Sequence, residues 1–346
     1  MDISRVGVDL AKSVFQLHGV NKAGKRVWKR QLPRNKWLSV ISETIEPGTE
    51  IGMEACAGSH HWSRELIARG YKVKMIPPQF VTPFVKGNKN DANDAEAITE
   101  AMARPNMHPV KVKSVEQQDM QAVHRIREEI KNHRVAKGNQ IRGLVAEYGI
   151  VAPVQLTSLR QAIPVWLEDT SNGLTSLFKQ LLQGLWVDLT TLDKRMKILD
   201  KQIMVIATQN PTAKRLQQLR GIGPLIATAM VATLGDGKQY RKGRDMAAAL
   251  GLTPKQHSSG GKDKLLGISK RGDSYLRCLM IHGARSAVQT AKNKDDRLSR
   301  WIVSLQIRRH NNVVVVAMAN KMARMAWVMM TKDVDYDPNF CSASVN

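Results

Sequence analysis

Cysteine is scarce in this chain of 346 residues: Cys56, Cys278 and Cys341 are its three, far apart and without a Cys-x-x-Cys spacing. That excludes a disulfide framework or a zinc site and leaves small buried or incidental thiols. No run of eighteen apolar residues is present, and the opening Met1-Asp2-Ile3-Ser4-Arg5 lacks the basic-then-apolar order of a secretion signal. The expectation is therefore a soluble, cytoplasmic protein with no membrane partner. Glutamate is missing altogether from residues 211–346, so the basic side chains there are not simply paired along salt-bridged helix faces.

What is abundant is positive charge. The formal net charge is +23, and Lys+Arg against Asp+Glu runs 16 to 11 in residues 1–104, 14 to 10 in 105–210 and 23 to 9 in 211–346. A chain this basic normally meets a polyanion, and phosphate neutralisation is the natural use, with affinity falling as salt rises. No basic amphipathic anchor that would suit a membrane surface stands out.

The length suggests two or three domains. Residues 1–110 alternate strands (near 3–9, 14–20, 25–31, 50–55 and 72–76) with helices (near 34–45, 59–69 and 91–103). A three-strand meander followed by α/β units is the order used by ribonuclease-H-like folds. Residues 111–210 read as a helical, coiled-coil linker: a polar helix from Ser114 to about Glu147, then a second long helix. Phe178, Leu182, Leu185, Leu189, Leu192, Met196, Leu199, Ile203 and Ile206 form an a/d seam on it. That seam wants a partner, either the first helix folded back or the same helix in another subunit. Pro164 and Trp166 mark the connection between the two helices. Residues 211–332 read as a mainly α C-terminal domain, with helices near 296–310 and 313–331, and residues 333–346 as a tail.

Four acids sit where this organisation can gather them. Asp9 and Glu54 end apolar strands, Val6-Gly7-Val8-Asp9 and Glu50-Ile51-Gly52-Met53-Glu54. Asp91 and Asp94 lie three apart at the start of a helix, on one face. Taken singly, each is an ordinary cap or solvated charge. Together they repel unless a cation joins them, and Mg²⁺, which takes oxygen ligands and keeps waters, suits carboxylates that meet a phosphate.

Two C-terminal stretches add phosphate chemistry. Arg220-Gly221-Ile222-Gly223-Pro224, between a short helix and an apolar one, resembles a helix-hairpin-helix motif, whose glycine turn offers N–H groups to a phosphate; the plainer reading is a tight turn. In Lys255-Gln256-His257-Ser258-Ser259-Gly260-Gly261-Lys262-Asp263-Lys264 a serine beside two glycines can approach a phosphate closely, although this composition is usually a flexible loop. A lone serine is a poor nucleophile and needs a base, a metal or positive charge on the phosphate. Lys270, Arg271 and Arg277 follow, around a capping Asp273, and Lys270 and Arg277 are placed to clamp one phosphate. His60, His61 and His257 read as ordinary surface histidines.

These motifs, in this order and over nearly the whole chain, resemble the IS-one-ten family of DEDD transposases of bacterial insertion sequences. The resemblance rests on Val6-Gly7-Val8-Asp9-Leu10-Ala11-Lys12, Met53-Glu54-Ala55-Cys56, Asn90-Asp91-Ala92-Asn93-Asp94-Ala95, Gly221-Ile222-Gly223, Gly251-Leu252-Thr253-Pro254, and Ser259-Gly260 with Lys270-x-Gly272 and Leu276-Arg277. It implies a RuvC-like N-terminal nuclease domain, with Mg²⁺ (Mn²⁺ as the substitute) on Asp9, Glu54, Asp91 and Asp94. It also implies a C-terminal domain whose serine forms a covalent phosphoserine with DNA, and a structured guide RNA, the bridge RNA, that pairs with donor and target DNA. The nucleophile maps to Ser259, with Ser258 as the alternative. Lys255, Lys262, Lys264, Lys270, Arg271, Arg277, Gly221 and Gly223 are the expected nucleic-acid contacts. Exchange at two duplexes suggests a homo-oligomer, dimer to tetramer. The competing readings are a hydrolytic junction-resolving nuclease that uses the acids alone and a non-catalytic RNA-binding scaffold.

Overall fold

A computed structural model describes residues 2–85, 91–259 and 262–338. The chain divides into two compact units, Met1–Ser114 and Val115–Asn346.

In the first unit β1 (Arg5–Leu10), β2 (Val14–Val20) and β3 (Arg26–Pro33) precede α1 (Trp37–Thr44), β4 (Glu50–Glu54), α2 (Ser59–Ala68), β5 (Lys72–Ile76), α3 (Pro78–Val81) and α4 (Asp91–Met102). The sheet order is β3-β2-β1-β4-β5. Short turns make β1, β2 and β3 antiparallel; Gly24 closes one of them at φ +77, donating to the Asn21 carbonyl. Longer connections through α1 and α2 return β4 and β5 parallel to β1. The strands expected from the alternating pattern are thus present to within a residue or two.

Each sheet face has its own cover. One packs Phe15 against Trp37 and Trp62, edge to face at 5.1 and 5.6 Å between ring centres. The other is covered by α4. A Cβ on Gly7 would lie 2.2 Å from Thr99 Oγ1 and 2.3 Å from the Ala95 carbonyl oxygen, and one on Gly52 would lie 2.6 Å from Met102 Sδ. Glycine on both central strands is what lets this helix lie so close to the sheet.

The second unit opens with α5 (Val115–Ala146), α6 (Leu156–Glu168) and α7 (Ser176–Gln209). The α7 seam is covered within the chain: Leu182 and Leu189 are fully buried in a core shared with Ile141 and Val145 of α5 and Leu159 and Ile163 of α6. Ion pairs Arg127–Asp200 (2.6 Å), Arg134–Asp193 (2.6 Å) and Lys137–Asp188 (3.1 Å) run in opposite directions along the two helices, so the pair is an antiparallel hairpin. Of the two partners open to the seam, the intramolecular one is observed. The connection marked by Pro164 and Trp166 is itself a helix, α6, with Pro164 inside it. Burial of Leu159 and Ile163 on one face outweighs the proline's missing hydrogen bond.

The remaining elements are α8 (Pro211–Leu216), α9 (Pro224–Leu234), α10 (Gly243–Ala249), β6 (Pro254–Ser259), β7 (Lys262–Ile268), α11 (Ser274–Gln289), α12 (Arg297–Arg308) and α13 (Asn311–Lys332). Their core gathers Met230, Met246, Met280, Met318 and Met322, all fully buried. α13 is long and apolar enough to cross a membrane by length and composition, and half of its most apolar stretch is buried in the fold. The segment after Asp333 is less free than its composition suggests. Arg215 pairs with Asp333 at 2.6 Å, and Gln218 Oε1 accepts from the Tyr336 N–H at 2.8 Å, which ties residues 333–336 to α8 and the turn that follows it.

Candidate nucleic-acid-processing site

In the first unit, Asp9 and Glu54 lie on adjacent parallel strands, each one residue beyond the paired Val8 and Met53. Side chains two apart on a strand share a face, so Asp9 follows Gly7, and Glu54 follows Gly52, onto the side covered by α4. Neighbouring strands stand about 4.8 Å apart, which brings both half-buried carboxylates to one end of the sheet. The Cys56 thiol registers them: its pKa is pushed up by partial burial first, then by Glu54 and Asp9. Asp94 sits in the first turn of α4, beside the Ala95 whose carbonyl touches Gly7. The Asp91 backbone opens that helix, and its side chain lies outside the described residues. Among the described residues, which leave out the Asp91 side chain, no three His, Cys, Asp or Glu side chains form a group that could hold a metal. Two hard oxygen donors at one sheet end fit a divalent ion as the start of a ligand set.

In the second unit the expected loop is a β-hairpin. β6 and β7 are antiparallel, with Ser259 opposite Lys262, Ser258 opposite Asp263 and His257 opposite Lys264; Gly260 and Gly261 lie outside the described residues. Paired residues share a face, with Cβ atoms about 5 Å apart. Ser259 therefore shares its face with Lys262, His257 and Lys264. The Ser258 hydroxyl is on the opposite face, where it accepts the Gln256 side-chain N–H at 2.8 Å. His257 reads in the sequence as an ordinary surface residue; the strand period is the signal that places it with Ser259. Every residue of β6, Lys255 included, is exposed.

A hairpin without a core of its own takes its direction from its feet. The Ser269 N–H donates to the Thr253 carbonyl (2.8 Å) and the Lys270 N–H to that of Gly251 (3.2 Å). Arg277 Nη1 donates to the carbonyls of Leu250 (3.3 Å) and Arg271 (3.0 Å). Arg277 thus braces the foot of the hairpin through Nη1. Gly251 and Gly272 complete the brace: at φ +69 and +80, their Cβ atoms would fall 2.2 Å from the Arg271 and 1.8 Å from the Ala249 carbonyl oxygen. Lys270 itself takes the left-handed conformation, φ +56. Asp273 caps α11 as expected, accepting from the Leu276 N–H at 2.9 Å.

The Gly221-Ile222-Gly223 turn joins α8 to α9, and its two glycines do different work. Gly221, at φ +88, is pressed against α11, since a Cβ there would lie 2.5 Å from the Gly283 carbonyl oxygen. Gly223 is exposed with open space around it, at the N-terminus of α9. Arg220 beside the turn is held by Asp296 and by Ser299. Burial alone would raise the Asp296 pKa, but hydrogen bonds from Arg220 and Ser299 hold it well below the usual carboxylate range. Cys56 is partly desolvated yet open to solvent, Cys278 is exposed, and Cys341 lies outside the described residues.

Comparison with known proteins assigns the family. A DEDD-type IS110 transposase model matches residues 6–150, and a second, described as transposase IS116/IS110/IS902 family, matches 213–299. The chain is 44% identical over 339 residues to a probable family 20 transposase of Pseudomonas aeruginosa, covering 98% of this chain and 100% of that one. It is 41% identical to the transposase of insertion sequence element IS1111A of Coxiella burnetii (97% of this chain, 92% of that one). To the transposase of IS1328 of Yersinia enterocolitica it is 38% identical (96% and 98%). The chain belongs to the IS110/IS116 family of transposases. Its work is DNA transposition, and the two family matches contain, respectively, the acids and the serine hairpin.

Proposed function

We propose that this IS110-family transposase cuts and exchanges the DNA strands of its element through a phosphoserine on Ser259, with Mg²⁺ or Mn²⁺ held by Asp9, Glu54, Asp91 and Asp94 in a RuvC-like unit. The observation that carries this reading is the hairpin register, which sets Ser259 across from Lys262 and beside His257 on one exposed face. Ser259 Oγ attacks phosphorus; a new O–P bond forms as the bond to a deoxyribose oxygen breaks. The hydroxyl proton passes to His257 or to solvent, and the departing sugar oxygen is protonated. Lys262 offsets the charge that builds on the phosphoryl oxygens. A divalent ion, when bound, supplies Lewis-acid polarisation of the phosphate. Attack by another strand's hydroxyl on the phosphoserine reverses these steps and rejoins DNA without ATP.

A charge of +23 supports a polyanion partner, and the family resemblance adds a structured guide RNA to the substrate DNA. Two duplexes exchanged together call for at least two serines, hence a homo-oligomer, dimer to tetramer. The deciding experiment traps protein–DNA adducts on end-labelled element DNA in the presence of Mg²⁺ and the copurifying RNA. Ser259→Ala is expected to abolish the adduct and Ser258→Ala to keep it. Cleavage that persists in Ser259→Ala without an adduct would assign the chemistry to hydrolysis by the acids.

A further inference from the structure

The C-terminal core displays a group of cations that the reading above leaves unused. Where α12 meets α13, Lys321 Nζ lies 4.6 Å from the centre of the Trp301 ring. Arg297 precedes Trp301 by one helical turn on α12, and Arg324 follows Lys321 by one turn on α13, so each pair shares a helix face. Arg297 and Arg324 are exposed and Lys321 is half-buried. Lys321 feels both arginines: its ammonium pKa is pushed down, by burial first and then by Arg324 and Arg297. Among the described residues neither Lys321 nor Arg324 forms an ion pair with a carboxylate. Lys321 and Arg324, two like charges held near each other this way, are costly to keep together until an anion arrives.

The place of the group in the fold indicates which anion. Asn320, next to Lys321, donates through Nδ2 to the Leu252 carbonyl at 3.2 Å, and Leu252 stands at the foot of the β6–β7 hairpin. Gly243 at the start of α10 fits against the same helix, since a Cβ there would lie 3.1 Å from Arg324 Cα. At about 3.3 Å per strand residue, the hairpin tip is roughly 20 Å from its foot, or about six base-pair rises along a duplex. Lys321, packed on an aromatic face, loses less rotamer freedom on meeting an anion than a solvated lysine does.

We propose that Arg297, Lys321 and Arg324, with Trp301 supporting Lys321, form a docking site for phosphates of the DNA strand delivered to the Ser259 hairpin. It rests on the reading of Ser259 as nucleophile and extends it from the reacting group to the track that presents the substrate.

The test uses the full chain carrying K321Q/R324Q, a 30-base-pair duplex DNA and, separately, a structured RNA hairpin, with affinities measured from about 50 to 200 mM salt. Duplex binding is expected to weaken by roughly tenfold, and the log–log salt dependence to become shallower by about two, one for each cation. The melting temperature should be unchanged, and the charge-preserving K321R/R324K should restore both affinity and slope. Wild-type affinity and slope for duplex in K321Q/R324Q would overturn the proposal. So would a loss confined to RNA, or a loss that K321R/R324K fails to restore. Adducts that persist in Ser259→Ala would sink the nucleophile reading and leave the salt-slope readout standing; a wild-type slope alongside Ser259-dependent adducts would sink the docking site alone.

Discussion

The acids and the serine are carried by opposite kinds of scaffold. Asp9 and Glu54 extend from the two central strands of a five-stranded sheet whose faces are both covered, and Val6, Val8, Ile51 and Met53 beneath them are fully buried. Ser259 stands at the end of an exposed strand with one partner. A group that must hold two like charges in register needs a rigid frame, because small displacements change their repulsion steeply. A nucleophile that must reach a phosphate inside a bulky nucleic acid needs projection, and the stiffness is moved to the hairpin's feet.

The widest separation between the two scaffolds comes from glycine. Gly7→Val places side-chain atoms where Thr99 and the Ala95 backbone already stand, so α4 must leave the sheet. The expected cost exceeds about 3 kcal/mol, enough to unfold the first unit. Urea melts followed by tryptophan fluorescence and circular dichroism would check this. A wild-type midpoint would mean that α4 is not packed as described, and that Asp94 is not delivered toward Asp9.

Next in size is a pH effect in the core of the second unit. His124, on α5, is 4% exposed; its Nε2 meets Thr228 Oγ1 at 2.9 Å and its Nδ1 the Tyr275 hydroxyl at 3.0 Å. Burial, and then Arg127, lowers its pKa to about 4, while burial pushes the Tyr275 phenol up to about 12. The folded value lies below the ordinary 6.5, so the unfolded chain takes up the proton first. This contribution is complete above about pH 6.5 and is lost as pH falls toward 4, by about 3 kcal/mol in all. His124→Gln should flatten the pH dependence of the thermal midpoint over that window; an equally steep dependence in the variant would assign the effect to other groups. His18 in the first unit is lowered too, by burial first, with Glu96 opposing.

What the sequence made legible follows the same division. Period-2 runs and short turns located every strand of the first sheet, because buried strands leave strong patterns, and the Asp9 and Glu54 positions came with them. The α7 seam was equally plain, but its partner was not: a heptad does not say which chain supplies the facing helix. The serine hairpin is not legible as strands in the sequence, since Lys255 to Ser259 bury nothing and show no hydrophobic alternation. Arg277 has a bracing role that its sequence context does not signal. A basic residue near a serine suggests phosphate, and only the fold reveals that Leu250 and Arg271 turn their carbonyls toward it.

The smallest expected effect sharpens the contrast most. If the hairpin is projected rather than packed, replacing its outward groups should leave the fold untouched: Ser259→Ala and Lys262→Gln should each change the unfolding free energy by less than about 0.5 kcal/mol. Both side chains are exposed, and neither makes a hydrogen bond or ion pair among the described residues. Their loss therefore removes no buried surface and leaves no buried polar atom behind. Paired urea melts would measure this, with Gly7→Val as the large-effect control. A shift beyond about 1 kcal/mol from either change would mean that the hairpin tip packs on something in the folded chain. Ser259 would then be occluded where the proposed chemistry needs it open.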